Sequence, residues 1–96
     1  MPTYLLSARF ARELAALTPK QRRALERAVA KFIAGLRSGD MPNGLRIKRV
    51  QGSPGVFEMT FAPDGRATFS FGEPVLKGQP HVIWRRVGTH DIFGAP

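Results

Sequence analysis

Between Thr18 and Arg37 the apolar residues recur at helical spacing, and beyond Leu45 they recur at every second position. This change of period from 3.6 to 2 divides the chain into a helical first part and a β-rich second part. In the helical part, Leu25, Ala28, Val29, Phe32, Ile33 and Leu36 form one stripe, while Lys20, Arg22, Arg23, Arg27 and Lys31 occupy much of the remainder. Thr18 suits an N-cap, with Pro19 at the first helical position and Gln21 completing a capping box, so the spacing predicts a helix from Pro19 to about Arg37, stopped by Gly39. A shorter helix over about Ala8 to Leu17 is expected before it, capped by Ser7 and carrying Phe10, Leu14 and Leu17 on one face. Thr3 to Leu6 is a short apolar piece suited to an edge strand.

After the S-G-D-M-P-N-G loop, three segments alternate apolar and polar residues. They are Leu45 to Val50, Val56 to Phe61 and Arg66 to Phe71. Pro63-Asp64-Gly65 suits a three-residue hairpin loop with Gly65 left-handed, which sets Phe61 opposite Ala67, Met59 opposite Phe69 and Glu58 opposite Ser70. Q-G-S-P-G between the preceding pair sets Val50 opposite Val56, Lys48 opposite Glu58 and Arg46 opposite Thr60. Both turns give one consistent apolar face, which argues for an antiparallel meander. By this register Glu58 and Arg66 stand about four strand positions apart, on the order of 13 Å.

The last apolar run, His81 to Phe93, has the β-branched and aromatic content of a strand in Val82, Ile83, Trp84 and Val87, with Gly88 marking an end or a bulge. Strict alternation places Trp84, Arg86 and His90 on one face and Ile83 and Val87 on the other. Paired antiparallel with the Arg66 to Phe71 strand, this run brings Arg86 and His90 toward Arg66 and Thr68. The helical hairpin then covers Leu45, Ile47, Phe57, Met59, Phe61, Phe69 and Phe71, and leaves an open polar face with Arg46, Lys48, Glu58, Thr60, Arg66, Thr68 and Ser70. The expected fold class is α+β, an N-terminal helical hairpin packed on one face of a small antiparallel β-sheet.

The 96 residues, 43% of them hydrophobic, fit a single domain, 1–96. Lys+Arg number 15 against 7 Asp+Glu, a formal charge of +8, which is the electrostatic footprint of a polyanion binder. Nucleic acid is the reading favoured by cations that lie on strands as well as on a helix; a membrane surface or an acidic protein partner is compatible with the charge alone. The basic helix face is either a solvated face or a surface that meets nucleic acid or an acidic partner, and the sequence does not separate the two. Cys is absent, which excludes a disulfide scaffold and a thiolate metal site, and two histidines are too few for a zinc site. With no long apolar stretch and no leader-like N-terminus, a cytoplasmic location is expected.

The order of short strand, helical hairpin and meander, with cations on the exposed sheet face, resembles the RelE/ParE superfamily of toxins from type II toxin-antitoxin modules. The local matches are R-F-A-R-E-L-A-A-L in the first helix, G-V-F-E-M-T-F and G-R-A-T-F-S-F in the hairpin, and R-V-G-T-H-D-I-F near the end. The last is similar to the ending of the YafQ-type branch, and G-V-F-E resembles a strand of HigB-type members. The resemblance implies a RelE-like fold and a ribosome-dependent mRNA endonuclease that inhibits translation, metal-independent and without a cofactor. Its implied partners are a cognate antitoxin, the ribosome and mRNA, with no membrane involved; oligomeric state stays open.

In such members the RNA 2'-hydroxyl attacks the adjacent phosphate and the 5'-oxygen leaves, so the site needs proton transfer and cations. Carried over by position, the catalytic residues are His90 as acid or base, Arg66 as the phosphate-stabilising arginine and Glu58 as the acidic residue of the G-V-F-E strand. The RNA-binding residues are Arg46, Lys48, Arg49, Arg85, Arg86 and Trp84. Beside these stand plainer readings. His90 serves as a hydrogen-bonding strand end, Glu58 forms a cross-strand ion pair with Lys48 worth under about 1 kcal/mol, and Trp84 packs in the core or at an interface instead of stacking a base. The histidines and acid that accompany the terminal histidine in the YafQ branch have no counterparts in Leu45 to Phe71. A non-enzymatic binder, inhibiting gyrase or the ribosome or binding RNA as a degenerate toxin, is therefore the alternative function.

Overall fold

The computed structural model describes residues 2–96. Ser7 caps the first helix, α1 (Ala8–Ala16), its hydroxyl accepting from the Phe10 N–H. Thr18 and Gln21 form the expected capping box at the start of α2 (Pro19–Ser38), which ends at Gly39 with a left-handed φ of 78°. Such a residue costs glycine no side-chain clash, so the helix stops cleanly at that point.

Five strands form one sheet: β1 (Thr3–Leu6), β2 (Lys48–Arg49), β3 (Phe57–Ala62), β4 (Gly65–Gly72) and β5 (His81–Gly88), in the order β1-β5-β4-β3-β2. The pairings from β5 to β2 are antiparallel, as expected, and β1 joins β5 in parallel, making the sheet mixed. Both helices pack on one face, and their apolar stripes meet Met59, Ala67, Phe69, Val82, Trp84 and Val87 in a single core. Phe32 is the hub of that core, in ring contact with Phe69 at 4.8 Å and Trp84 at 5.5 Å between centroids. Each fully buried side chain of this size contributes roughly 1.5–3 kcal/mol of transfer free energy. Phe71, expected under the helices, is exposed at the sheet's end.

Four expectations of strand geometry are corrected. The segment expected as a strand from Leu45 to Val50 pairs only at Lys48 and Arg49; Asn43–Leu45 forms a 3-10 turn and Arg46, with φ 51°, leaves it in left-handed conformation instead of pairing with Thr60. Lys48 does face Glu58, as the turn chemistry predicts.

The β3–β4 register differs by two residues from the expected one. Glu58 faces Thr68 and Met59 faces Ala67, because Pro63 and Asp64 alone make the turn and Phe61 is an extra residue in β3. Gly65 does not supply a left-handed angle there. Its role is close approach, since a Cβ on Gly65 would come within 2.6 Å of the Phe61 ring. A shift of two preserves the faces.

In β5, Thr68 faces Arg86 but Phe69 faces Trp84, so Arg85 is unpaired and the alternation reverses. Trp84 consequently shares the core face with Val87, and Arg86 lies on the other.

The expected open polar face is also partly covered. A C-terminal 3-10 segment, His90–Gly94, packs against β4 and β5 and buries Ile92, and Thr68, bonded to Pro96, is fully buried; Glu58, paired with Lys48, is 9% exposed.

Trp84 is the single tryptophan of the chain, so its fluorescence reports directly on this core. Trp84→Ala is expected to cost about 3–5 kcal/mol, read as a fall in the urea midpoint at unchanged slope.

Candidate functional site

Cross-strand partners on one face of a sheet stand side by side. On the face away from the helices, the pairings Lys48–Glu58, Glu58–Thr68 and Thr68–Arg86 therefore build one row across β2, β3, β4 and β5. The next row holds Thr60, Arg66 and Gly88. Arg66 and Glu58 are thus diagonal neighbours, at a spacing of about 7–8 Å for such pairs. The longer separation expected from the sequence is corrected by the two-residue register shift.

Within the row, Lys48 Nζ approaches Glu58 Oε1 at 3.4 Å; the lysine side chain is largely exposed and the glutamate nearly buried. Arg66 donates from Nη1 to the carbonyls of Ala62, Pro63 and Gly65, bending over the β3–β4 turn with no acidic partner. Thr68 donates to the Pro96 carbonyl at 3.2 Å, and Arg85 Nε reaches the same oxygen at 3.1 Å. Arg46 and Arg49 are exposed.

His90 opens the C-terminal segment, two residues beyond the Gly88 that pairs with Arg66. Thr89 caps that turn, accepting from the Asp91 N–H, and the His90 ring stands edge-on to Phe93 at 5.0 Å between centroids. The side chain is exposed and makes no hydrogen bond among the described residues. Both ring nitrogens can therefore meet a ligand. The structure brings Glu58, Lys48, Arg66, Arg85 and Arg86 to one side of the sheet, with His90 on the segment that crosses it.

Trp84 is corrected as a base-stacking residue. At 5% exposure it lies between Phe10, Phe32 and Phe69 on the helical side. Arg86 has a structural task that the sequence reading did not contain. It donates through Nε and Nη2 to the two carboxylate oxygens of Glu13 in α1, at 3.2 and 2.6 Å, and through Nη1 to the Ala95 carbonyl at 3.1 Å. Glu13 Oε1 also accepts from the Val87 N–H. The signal was present in the chain, since Glu13 stands three residues after Phe10, beside the buried stripe of an otherwise basic helix.

The Arg86 hydrogen bonds hold the Glu13 carboxyl below its ordinary 4.5, against the opposing effect of burial. The same contact raises Arg86.

The fold built from these elements is RelE-like, of α+β class, and solved toxins share it. The YafQ toxin in the DinJ-YafQ toxin-antitoxin complex of E. coli superposes with a TM-score of 0.70 at 16% identity, covering 94% of this chain and 93% of that one. The RelB-RelE antitoxin-toxin complex of Methanococcus jannaschii gives 0.62 at 16% identity, with 91% of each chain covered. A YoeB/ParE toxin from Agrobacterium tumefaciens gives 0.67 at 8% identity over 92% of this chain and 98% of that one. No family model matches the sequence, and neither does any curated protein.

Glu13→Gln is expected to lower stability at neutral pH by about 1–2 kcal/mol, the scale of a charge-assisted hydrogen bond, seen as a fall of several degrees in Tm. A depressed carboxyl stabilises the fold above its ordinary pKa, and the contribution is lost as pH falls through its folded value. The gap between parent and variant should therefore narrow as pH falls below the ordinary carboxyl value and close once Glu13 is protonated in the folded state.

Proposed function

We propose that this protein is the toxin of a toxin-antitoxin pair and that it cuts messenger RNA on the ribosome. The observation that carries the reading is an exposed, unbonded imidazole, His90, at the exit of the strand whose last residue pairs with Arg66, on a fold shared with toxins of such modules. The net charge of +8 suits an RNA substrate.

In the proposed reaction His90 takes the proton of the RNA 2'-hydroxyl as that oxygen bonds to the adjacent phosphorus. The bond from phosphorus to the 5'-oxygen breaks. The departing 5'-oxygen is protonated by solvent, to which the imidazolium returns its proton. Arg66 and Lys48 hold the charge that builds on the phosphoryl oxygens. Glu58 acts as a positioning residue: nearly buried and paired with Lys48, it fixes the ammonium instead of meeting the nucleotide. Arg85 and Arg86 are held by C-terminal carbonyls, oxygens of the kind a phosphate would also offer them.

The antitoxin in this reading has two surfaces to choose from. One is the cationic face just described, which an acidic segment would neutralise. The other is an apolar groove of about 470 Å³ between the helices and β1, bordered by Tyr4, Leu6, Phe10, Leu14, Val29 and Ile33, which suits an amphipathic segment.

The test is messenger RNA cleavage in a purified translation system at equal concentrations of folded protein. The parent should cut at defined positions in the decoding site, and His90→Ala or Arg66→Ala should cut about 10²-fold more slowly or worse. Arrest of translation without cutting would favour the non-enzymatic inhibitor, and undiminished cutting by both variants would reject the assigned residues.

A further inference from the structure

A second cationic feature lies beyond Arg66, on the side of the turn that faces α2. There α2, the loop before β2 and the β3–β4 turn enclose an open groove of about 650 Å³ lined by Arg27, Lys31, Arg46 and Arg66, beside Thr60 and Phe61. Its size falls in the range of roughly 300–1,000 Å³ usual for ligand sites. The residues that line it include no acid.

Three features make this more than a solvated face. Arg27, Lys31 and Arg46 form no hydrogen bond and no ion pair among the described residues, and Arg66 has only carbonyl partners. Arg27 and Lys31 are like charges at i and i+4, an arrangement that destabilises a helix. Arg46 is the single non-glycine residue with positive φ among those described, at 51°, a conformation in which a Cβ crowds the following carbonyl oxygen. Repulsion within a helix and strain in a loop are both spent on placing unpartnered cations around one concavity, and both are offset if an anion occupies it.

We infer that this groove holds the phosphodiester backbone of single-stranded RNA, as a track that continues from Arg66 away from His90. The inference rests on the proposed nuclease reading for its substrate; it newly assigns Arg27 and Lys31 to binding, and places Arg46, expected from the sequence to bind RNA, in the same groove. Two features favour RNA over an acidic peptide. The groove is open and bordered by four cations with no acid among its lining residues, as suits a chain of phosphates, and the partly exposed Phe61 ring beside them offers a base a surface to stack on.

The probe is a fluorescein-labelled 12-mer of 2'-O-methyl-uridine, which lacks the nucleophilic hydroxyl and cannot be cut by the proposed chemistry. Binding is followed by anisotropy across a salt series. Arg27→Ala with Lys31→Ala should weaken binding about 10-fold and reduce the slope of log K against log salt by about 1.4, as two phosphates are no longer neutralised. Arg46→Gly should weaken binding at least about 3-fold with Tm unchanged or raised, because it removes a cation and relieves the strain together.

Arg12→Ala with Lys77→Ala removes the same charge elsewhere, and should change affinity less than about 2-fold. Parental affinity and slope in the groove variants would overturn the inference, as would an equal loss in the distant pair. Binding of a poly-glutamate peptide that depends on Arg27 and Lys31 while RNA binding does not would also overturn it, in favour of an acidic protein segment. Absence of cleavage by the parent protein with this binding intact would reject the nuclease reading and leave the groove standing by itself, so the two proposals fail separately.

Discussion

The Glu13 carboxylate joins three parts of the molecule at one point. It binds the guanidinium of Arg86 through both oxygens and the Val87 N–H through one, where β5 has passed the end of β1 and its outer edge lacks a strand partner. Buried backbone donors must find acceptors, and here a side chain from α1 serves in place of a strand. The contact depends on the extra residue at Arg85, since only the reversed phase places Val87 in the core and Arg86 opposite it. Arg86 in turn reaches the carbonyls of the C-terminal segment. One ion pair thus links the helical layer, the sheet and the segment that carries His90.

Much of this was legible in the sequence where a local rule governs. Thr18, Pro19 and Gln21 marked the start of α2, and Gly39 its end, because caps and left-handed stops are decided within a few residues. The period of two located β3 and β4, and β-branched and aromatic content located β5, to within a residue or two. What the period does not carry is an inserted residue. Phe61 and Arg85 each add one unpaired position to a strand, and nothing in residue type distinguishes them from their neighbours. The first, together with the two-residue turn at Pro63 and Asp64, shifts a register by two without changing faces; the second reverses them, which sends Trp84 inward and Arg86 outward.

The candidate site was legible to a different extent. Lys48 opposite Glu58 followed from turn chemistry, and the antiparallel pairing that sets Arg66 opposite Gly88, two residues before His90, followed from the order of the strands. The covering of Thr68 by the C-terminal residues did not, because a 3-10 turn of five residues has no period to detect. Glu13 escaped for a related reason. An acid beside an apolar stripe reads as an ordinary helix residue until the strand edge it faces is known.

The distribution of charge carries the argument one step further. Of the seven acidic residues, Glu13, Glu26 and Glu58 are engaged in ion pairs with Arg86, Arg22 and Lys48, and two of these pairs support the sheet face where His90 emerges. These three acids fix local geometry, while Arg27, Lys31, Arg46 and Arg66 are left without acidic partners around a single concavity. A fold that needed charge only for solubility would intersperse the two signs. Segregation of this kind lowers the stability of the unbound protein slightly and raises its attraction for an extended anion, which is the balance expected when the partner is a polyanion.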